Sequence, residues 1–360
     1  MNNKINLLGL SHESLVDFFH NIDQPSFRAS QFLKWVHQRG CLDFDEMTDF
    51  NIPLREHLKE IAFIETPKIL ESSLSKDGTE KFAIKLNSGS IVEMVVIPEE
   101  KRNTLCISSQ AGCALQCTFC ATGAQGFDSN LTSSEIIGQL WLANNFSINK
   151  RKITNVVFMG MGEPLLNYEN VVESAQIMKD QNAYGLSRKR ITISTSGIVP
   201  QILNLPNDID VSLAISLHAP NDELRNEIVP INNKYPLKEL ISSCQTYLKS
   251  FTNKKNITIE YILIKGVNDS LSHAKELSKI LNHLNCKINL IPFNPFDGCD
   301  YERSSDQDIN TFKSFLMKKG FIATVRRTRG DLIDGACGQL VGNLNKATKG
   351  KKLIKHKQII

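Results

Sequence analysis

The stretch Cys113-Ala114-Leu115-Gln116-Cys117-Thr118-Phe119-Cys120 places three cysteines in one short segment, separated by steps of four and three positions. Iron–sulfur clusters are held by cysteine thiolates, usually four for a four-iron cluster. Three thiolates on one loop leave one iron of such a cluster without a protein ligand, and that iron can bind a small molecule. The spacing therefore predicts a [4Fe-4S] cluster held by Cys113, Cys117 and Cys120.

A structural zinc site is the alternative interpretation of these cysteines. Zinc motifs usually combine one close pair of cysteines with a second Cys or His pair a dozen or more residues away, which completes a tetrahedron. No second close pair follows this loop, so the spacing favours the iron–sulfur cluster. A fourth cysteine, Cys106, precedes the loop by seven residues.

The overall composition is that of an ordinary globular protein. The chain has 360 residues, of which 41% are hydrophobic and 22% charged, and its formal net charge is +4. The start lacks the apolar run of a signal peptide, and no apolar stretch reaches the roughly eighteen residues that span a bilayer. We therefore expect a cytoplasmic protein without a membrane partner, in which clustered cysteines act as ligands or catalysts.

The sequence pattern divides the chain into four segments. We expect a helical RNA-binding accessory domain, a β-hairpin extension, a barrel core and a disordered basic tail, at residues 1–65, 66–98, 99–345 and 346–360. The helical segment offers a basic face made of Arg28, Lys34, His37 and Arg39, which is either an RNA contact or simply a solvated surface. The tail carries six lysines and no acid, a pattern that fits a phosphate backbone or a frayed terminus.

Beyond the cysteine loop, β-type apolar runs alternate with helical patterns, which predicts a parallel sheet with right-handed crossovers. The expected fold class is α/β, a partial (βα)6-type barrel preceded by the small helical domain. The candidate strands are Leu105–Ser108, Asn155–Met161, Arg190–Ser196, Val211–Leu217, Thr258–Lys265, Lys287–Pro292 and Ile322–Arg327. Sites in such folds lie at the carboxyl ends of the strands.

Polar and glycine-rich motifs follow several of these strands. They are Met159-Gly160-Met161-Gly162-Glu163-Pro164, Ser194-Thr195-Ser196-Gly197, Ser216-Leu217-His218 and Pro292-Phe293-Asn294-Pro295. Glycines let a ligand approach the backbone, and a carboxylate beside them can accept a hydrogen bond from an ammonium group. Each motif alone is a common connector, but their arrival at one rim predicts a ligand site.

Two further residues are ambiguous from their own surroundings. Glu93 is an acid in an otherwise apolar strand, and alternation favours its being the solvent-facing member. Cys337 stands among small residues in Gly335-Ala336-Cys337-Gly338. A lone cysteine is usually a buried small hydrophobe, although the flanking glycines indicate an exposed turn where it could react.

Taken together, the motifs resemble the radical S-adenosylmethionine (radical SAM) adenine-C2 RNA methyltransferases, whose bacterial dual-specificity type acts on 23S ribosomal RNA and on tRNA. The matching segments are Cys106–Gln110, the cysteine loop, Gly160–Asn167, Ser216–Ala219 and Ala336–Leu340. The likeness runs from Gln31 to Leu344. Pro164 and the run Arg326–Gly330 match this branch, whereas the antibiotic-resistance branch, which methylates C8, departs there.

The resemblance implies a role for the remaining cysteines. An aromatic C2 carbon is not nucleophilic, so covalent catalysis divides its methylation into easier steps. In the family, Cys337 takes a methyl group from one SAM, and a 5′-deoxyadenosyl radical from a second SAM activates that S-methyl group for addition to C2. Cys106 then releases the product by forming a disulfide with Cys337. Glu93 matches the proton acceptor, which replaces the solvent-facing interpretation.

The same resemblance implies the ligands and partners. It assigns SAM contacts to Gly162, Glu163, Ser194, Ser216, Leu217, His218 and Asn294. The implied cofactors are a [4Fe-4S] cluster and S-adenosyl-L-methionine, and the implied partners are 23S rRNA, tRNA and an electron-donating reductase. We expect a monomer that takes up its target adenosine in an extruded conformation.

Three alternatives compete with this interpretation. The first is the C8 branch, and the second is an activase of a glycyl-radical enzyme, which would need neither Cys106 nor Cys337. The third is a non-catalytic zinc-dependent RNA-binding module, which would be colourless where a cluster protein is brown.

Overall fold

A computed structural model of the chain describes residues 4–251, 256–326, 330, 333, 335–336, 338–341 and 352–354. Within these ranges the α-helices are α1 (His12–His20), α2 (Phe27–Leu33), α3 (Ile52–Ile61), α4 (Ala121–Gln125), α5 (Ser133–Phe146), α6 (Tyr168–Lys179), α7 (Val199–Asp208), α8 (Asp222–Ile228), α9 (Leu237–Lys249), α10 (Leu271–Ile280) and α11 (Asp306–Lys318). None of these described helices has both the length and the apolar character that crossing a bilayer requires.

The strands in the same ranges belong to one large sheet and two small ones. They are β1 (Ile5–Asn6), β2 (Ala62–Phe63), β3 (Lys68–Leu74), β4 (Glu80–Lys85), β5 (Ile91–Pro98), β6 (Asn103–Cys106), β7 (Gln110–Gly112), β8 (Phe127–Asn130), β9 (Asn155–Phe158), β10 (Ile191–Thr195), β11 (Ser212–Ser216), β12 (Ile257–Leu263), β13 (Cys286–Pro292), β14 (Ile322–Val325) and β15 (Lys352–Ile354).

The centre of the fold is a run of parallel strands in the order β6-β9-β10-β11-β12-β13-β14. At least one helix, from α5 to α11, separates each of these strands from the next along the chain. Parallel neighbours require such crossovers, because a two-residue turn cannot return the chain to the same end of the sheet. Six strand–helix units followed by a last strand confirm the predicted α/β class and (βα)6-type architecture.

Antiparallel strands extend this sheet beyond β6, in the order β5-β4-β3-β15. The sequence predicted a hairpin between residues 66 and 98. The structure contains that hairpin, β4 and β5, and adds β3 to it as a third strand. The strand β15 comes from the basic tail, whose other residues lie outside the described part of the chain.

The N-terminal helices pack directly on the barrel. They share one hydrophobic core with it, and the indole Nε1 of Trp141 on α5 donates a hydrogen bond to the carbonyl of Val36 at 2.9 Å. Ser11 caps α1 by accepting the N–H of Ser14, a common role of serine at a helix N-terminus. The helical segment is therefore held against the outer face of the barrel helices.

The prediction of a basic face on these helices is wrong for His37. This side chain is buried, with its Nδ1 atom 3.1 Å from the hydroxyl of Tyr184, and burial lowers its pKa to about 3. A π-helical turn over Lys34–Gln38 changes the angular spacing of the helix, so a regular helical wheel misplaces this residue. His37 is a neutral contact between the two parts of the chain.

Candidate active site

The three cysteines of the opening stretch meet at the carboxyl ends of the parallel strands. The loop begins after β7 and ends at α4, and β7 and β8 pair to bracket it. Cys113, Cys117 and Cys120 all line one cavity, which we call the cluster cavity. It also includes Gly162, Glu163, Ser194, Ser216 and His218 from the neighbouring strand ends.

The chemistry of this donor set fits an iron–sulfur cluster. Burial raises the pKa of Cys113 to about 12 and raises that of Cys117 further, so both are neutral thiols until a metal displaces their protons. Within the described residues, no three His, Cys, Asp or Glu side chains converge tightly enough to hold a single ion. A four-iron cluster is bound differently, because each thiolate takes its own iron at a separate corner.

The glycine-rich motif after β9 presses against the strand that precedes the cysteine loop. A Cβ atom at Gly160 would lie 2.6 Å from the carbonyl oxygen of Ile107, and one at Gly162 would lie 2.5 Å from Cβ of Gln110. Gly162 also has a φ of +98°, which L side chains rarely adopt. The motif therefore needs glycine for backbone packing as well as for access to a ligand.

Glu163 joins two of the rim loops. Its carboxylate accepts hydrogen bonds from the N–H of Leu165 at 3.0 Å and from the N–H of Ser196 at 2.8 Å. Burial raises its pKa, and these backbone donors oppose the shift. The hydroxyls of Thr195 and Ser196 oppose the shift as well, so the carboxylate is surrounded by donors on the side of these loops.

His218 occupies a strained backbone position on the same rim. Its φ is +61°, which is uncommon for a residue other than glycine. The conformation is held by two bonds, from the N–H of Ile262 to Nδ1 at 3.0 Å and from the amide of Asn268 to its carbonyl at 2.8 Å. Burial lowers its pKa to about 3, so the ring is neutral and carries its proton on Nε2, facing away from Ile262.

A buried arginine forms hydrogen bonds with the loops that follow β10 and β11. Arg225 is inaccessible to solvent and donates to the carbonyls of Leu217 at 2.9 Å and Ser196 at 2.6 Å, and to the amide oxygen of Asn232 at 2.8 Å. Burial lowers its pKa to about 10, so the guanidinium stays charged at neutral pH. It fixes the ends of β10 and β11 relative to each other.

Glu93 is buried rather than solvent-facing. Its carboxylate forms an ion pair with Lys81, with 3.0 Å between Oε1 and Nζ, and its Oε2 accepts the N–H of Val341 at 2.9 Å. Strand alternation places Glu93 on the same face of β5 as Ile97, which lines the interior of the barrel. The solvent-facing interpretation from sequence alternation is therefore wrong.

The described residues that follow Cys337 lie against the cluster cavity. The carbonyl of Gly338 accepts the N–H of Ala121 at 2.8 Å, and the carbonyl of Leu340 accepts the hydroxyl of Thr122 at 2.7 Å. Gly338 and Leu340 line the cavity themselves. Cys337 lies outside the described residues, but its described neighbours are fixed against the helix that begins after Cys120.

Three other site residues predicted from the sequence, Cys106, Leu217 and Asn294, are not among those that line the cluster cavity. Cys106 is buried at the end of β6, on the same strand face as Thr104, which lines the barrel interior. Leu217 and Asn294 are buried as well. The backbone of Leu217 is already bonded to Arg225 and to the strand β12.

Sequence reasoning missed three polar residues near this site. Lys81 pairs with Glu93, Arg225 bonds the rim loops, and Glu260 on β12 lines the cluster cavity. No sequence motif identifies Lys81, because its partner Glu93 lies twelve positions away on another strand. No motif identifies Arg225 either, because it bonds backbone carbonyls, which every residue type carries. Glu260 carried a weak signal, because it is an acid in the middle of an apolar candidate strand, as Glu93 is.

This fold, with three cysteines and a glycine-rich loop at one rim, is that of a radical SAM enzyme, and residues 107–277 match the family model of the radical SAM superfamily. Residues 5–64 match the model described as the ribosomal RNA large subunit methyltransferase N-terminal domain. The chain belongs to the RlmN family of dual-specificity RNA methyltransferases, which confirms the resemblance drawn from its motifs.

Two curated relatives carry this assignment. The chain is 52% identical over 350 residues to the dual-specificity RNA methyltransferase RlmN of Marinobacter nauticus, covering 96% of this chain and 95% of the relative. It is 53% identical over 351 residues to the RlmN of a Pseudomonas putida strain, covering 96% and 92%.

A solved structure has the same fold. A radical SAM methyltransferase from Sphaerobacter thermophilus superposes with a TM-score of 0.88 at 38% sequence identity, covering 94% of this chain and 100% of that one. The match therefore includes the N-terminal helices as well as the barrel.

Proposed function

We propose that this RNA methyltransferase transfers a methyl group to C2 of a specific adenosine in 23S rRNA and in tRNA. The observation that carries the proposal is the placement of the Ala336–Val341 segment. Gly338 and Leu340, which follow Cys337, line the cluster cavity and bond to α4, and the N–H of Val341 bonds to the carboxylate of Glu93. The closeness of these residues to the cysteine loop and to the buried Glu93 supports a site in which Cys337 carries the methyl group.

Cys113, Cys117 and Cys120, which all line this cavity, would hold a [4Fe-4S] cluster. When bound, the cluster supplies the electron that cleaves one SAM and so generates the radical that activates the methyl group. The chain contributes burial, since residues of the cysteine loop and the glycine-rich loop line the cavity together with Gly338 and Leu340. Enclosure excludes water from a reaction that water would quench.

The rim residues would bind and orient SAM. The carboxyl group of Glu163 lines the cavity and would attract the SAM ammonium, and Gly162 lets the ligand approach the backbone. The hydroxyls of Ser194 and Ser216 lie 3.4 Å apart on adjacent strands and face the same cavity. The neutral His218 offers its Nε2–H as a donor without adding a second positive charge beside the sulfonium.

Three residues would perform the covalent chemistry. The sulfur of Cys337 attacks the methyl carbon of one SAM, so a new S–CH3 bond forms, the sulfonium C–S bond breaks and S-adenosylhomocysteine leaves. Once the 5′-deoxyadenosyl radical has removed a hydrogen atom from the S-methyl group, the S–CH2 carbon would bond C2 of the adenine with loss of one electron to the bound cofactor, and Glu93 would accept the proton that leaves C2. The Cys106 thiolate then attacks the sulfur of Cys337, so an S–S bond forms, the S–CH2 bond breaks and the released carbon takes up a proton to become the methyl group. External thiols reduce the disulfide.

The remaining expectations belong to the same proposal. The N-terminal helices would act as an RNA-binding accessory, and an unidentified reductase would deliver the electrons. We propose that the enzyme works as a monomer in the cytoplasm. The target adenosine would leave its stack to enter the barrel, as bases do in other enzymes that modify them.

Mass spectrometry of nucleosides tests this proposal directly. In vitro transcripts of tRNA and 23S rRNA would be incubated anaerobically with reconstituted enzyme, SAM and a reductant. The expected product is 2-methyladenosine. Formation of 8-methyladenosine would assign the chain to the C8 chemistry, and absence of any methylated nucleoside from an enzyme that still cleaves SAM would refute RNA methylation by this chain.

A further inference from the structure

The interior of the barrel continues below the cluster cavity as a second cavity of about 580 Å³ at the amino ends of the parallel strands. We call it the lower lumen. The space at the carboxyl ends is smaller, about 130 Å³. Met159 and Glu260 line both cavities, so the two cavities adjoin at these side chains. A cavity of several hundred Å³ is large enough for a small ligand.

The lower lumen is polar, unlike the interior of an ordinary barrel. Barrel interiors are usually filled by layers of bulky branched side chains. Here alternate strand positions point hydroxyl and amide groups inward, namely Thr104, Asn155, Thr192, Ser212, Thr258 and Asn289. Such groups are disfavoured in a core unless they are hydrogen-bonded, so this lining is suited to a polar occupant.

A hydrogen-bonded chain of side chains stands at the junction of the two cavities. The amide Nδ2 of Asn289 donates to Oε2 of Glu260 at 2.8 Å, and the hydroxyl of Thr324 lies 3.3 Å from the amide oxygen of Asn289. Glu260 is buried, and burial raises its pKa. An amide beside a carboxyl group offers both donors and acceptors, which is the combination that reads the edge of an adenine.

Positive charge surrounds the open end of the lower lumen. Lys189, Lys287, Arg102 and Arg326 line it, against two acids, Glu99 and Glu260. Arg102 is paired with Glu99. The two lysines are exposed, so their ammonium groups are accessible to phosphates. A nucleic acid is attracted by such a rim through its backbone charge, independently of its sequence.

We propose that the lower lumen admits the target nucleotide of the RNA, with Lys189 and Lys287 binding phosphates at its mouth and Asn289 with Glu260 reading the adenine edge. This inference rests on the proposed function, because it names the path of that substrate. It places the base between the phosphate contacts and the cluster cavity. The adenine then reaches the reactive cysteines from the side opposite the rim where SAM binds.

The phosphate contacts are tested by RNA binding at several salt concentrations. The probe is unmodified tRNA transcript, and the variants are Lys189→Glu and Lys287→Glu in the full-length chain. We expect each to weaken the Kd about tenfold and to reduce the slope of log Kd against log salt concentration by about 1. The matched control is Lys275→Glu, the same charge reversal on the outer helix α10, which should leave both quantities unchanged.

The base contacts are tested with two RNAs that differ at one position. The RNA found to be methylated is compared with the same RNA carrying guanosine in place of the target adenosine. Wild-type protein should bind the adenosine form more tightly, and Asn289→Ala should reduce that preference about fivefold or more. Asn289→Asp is a smaller change that removes the same donor, so it gives the answer if the alanine variant unfolds.

The outcomes distinguish this inference from the proposed function. Unchanged tRNA affinity and salt slope in both lysine variants, or an unchanged base preference in both Asn289 variants, would overturn the lower lumen as the nucleotide site. A wild-type enzyme that yields no methylated nucleoside would instead overturn the proposed function. The tRNA salt slopes are measured without catalysis and would still decide whether RNA binds at this mouth.

Discussion

Lys81 and Glu93 form an ion pair inside the sheet, with 3.0 Å between Nζ and Oε1 and both side chains buried. The residue opposite Glu93 on β4 is Ala83, and Lys81 lies two positions from it, so the pair is a diagonal cross-strand contact. Both side chains therefore project from the same face of the sheet. The other oxygen of Glu93 holds the N–H of Val341, which connects the pair to the segment containing Cys337.

Removal of Lys81 alone should destabilise the protein strongly. In Lys81→Met the carboxylate of Glu93 loses its counter-charge, and breaking a buried pair from one side lowers the free energy of unfolding by about 3–5 kcal/mol. The double variant Lys81→Met/Glu93→Leu should recover most of that loss, because no charge is left buried. Urea unfolding of the three proteins measures this, and equal stability of the single variant and the wild type would contradict it.

Substitution Glu93→Gln should slow methylation, and because it leaves the buried Lys81 ammonium without its counter-charge it should also lower the free energy of unfolding, so the rate is measured below the unfolding temperature of the variant. Glutamine keeps an oxygen for the N–H of Val341 but cannot accept a proton, and loss of a positioned base lowers a rate by about 10²–10⁴-fold. The measurement is the rate of 2-methyladenosine formation under single-turnover conditions. Glu100→Gln, at an exposed position, is the matched control. A rate within threefold of wild type would remove Glu93 from the proton transfer.

The two proposed catalytic cysteines should give opposite phenotypes. Cys337→Ala removes the methyl carrier, so we expect no methylated nucleoside while SAM cleavage continues. Cys106→Ala removes the group that releases the product, so a covalent protein–RNA adduct should accumulate. Denaturing gel electrophoresis with labelled RNA detects the adduct as a nuclease-sensitive shift of the protein band.

Two controls make the cysteine result specific. The double variant Cys106→Ala/Cys337→Ala should form no adduct, because the carrier is missing. Cys244→Ala changes a buried cysteine on α9, outside the cavity, and should methylate RNA normally. Adduct formation in the double variant would show that another residue carries the methyl group.

The strands and the rim of the site could be predicted from the sequence because each depends on residues that are consecutive in the chain. The cysteine spacing, the glycine-rich loop and the residues after β10 and β11 each occupy consecutive positions, and parallel strands bring their carboxyl ends together. Glu93 could not be oriented in this way. Alternation of polar and apolar residues distinguishes the two faces of a strand only when one face is exposed to solvent. The strand β5 is buried along most of its length.

Residues that act through contacts distant in the sequence could not be predicted from the order of residues along the chain. Arg225 lies on α8 but bonds carbonyls at the ends of β10 and β11. Lys81 meets Glu93 only because a hairpin register brings them together. A charged residue in a helix or strand is ordinarily a solvated one, so the sequence gives no reason to single out either of them.

Replacement of Arg225 should weaken SAM binding even where the fold survives. Arg225→Lys keeps the charge, but an ammonium cannot bond Leu217, Ser196 and Asn232 from one planar group as the guanidinium does. Each lost charged hydrogen bond is worth about 1.5–3 kcal/mol, so we expect SAM affinity to fall about tenfold or more. Equilibrium dialysis measures it, with Arg190→Lys at an exposed position as control. Unchanged affinity would show that the loops hold their positions without this support.

Stability should fall as the pH falls below neutrality, because two histidines are buried in neutral form. Burial lowers the pKa of both His37 and His218 from 6.5 to about 3. Between these values the unfolded chain binds protons that the folded chain does not. The two histidines therefore do not lower the stability above pH 6.5. Between pH 6.5 and pH 3 the free energy of unfolding decreases as the pH falls, by about 1.4 kcal/mol per pH unit for each histidine.

A single substitution separates the contribution of one histidine from that of all other groups. His37→Phe keeps a ring against Tyr184 but removes the titration, so the slope of unfolding free energy between pH 5 and 6 should decrease by about 1.4 kcal/mol per pH unit. His20→Gln changes an exposed histidine and should leave the slope as in the wild type. Urea unfolding at closely spaced pH values measures all three proteins. An unchanged slope in His37→Phe would mean that His37 is protonated in the folded state, and its burial against the barrel would then require a counter-charge that these contacts do not provide.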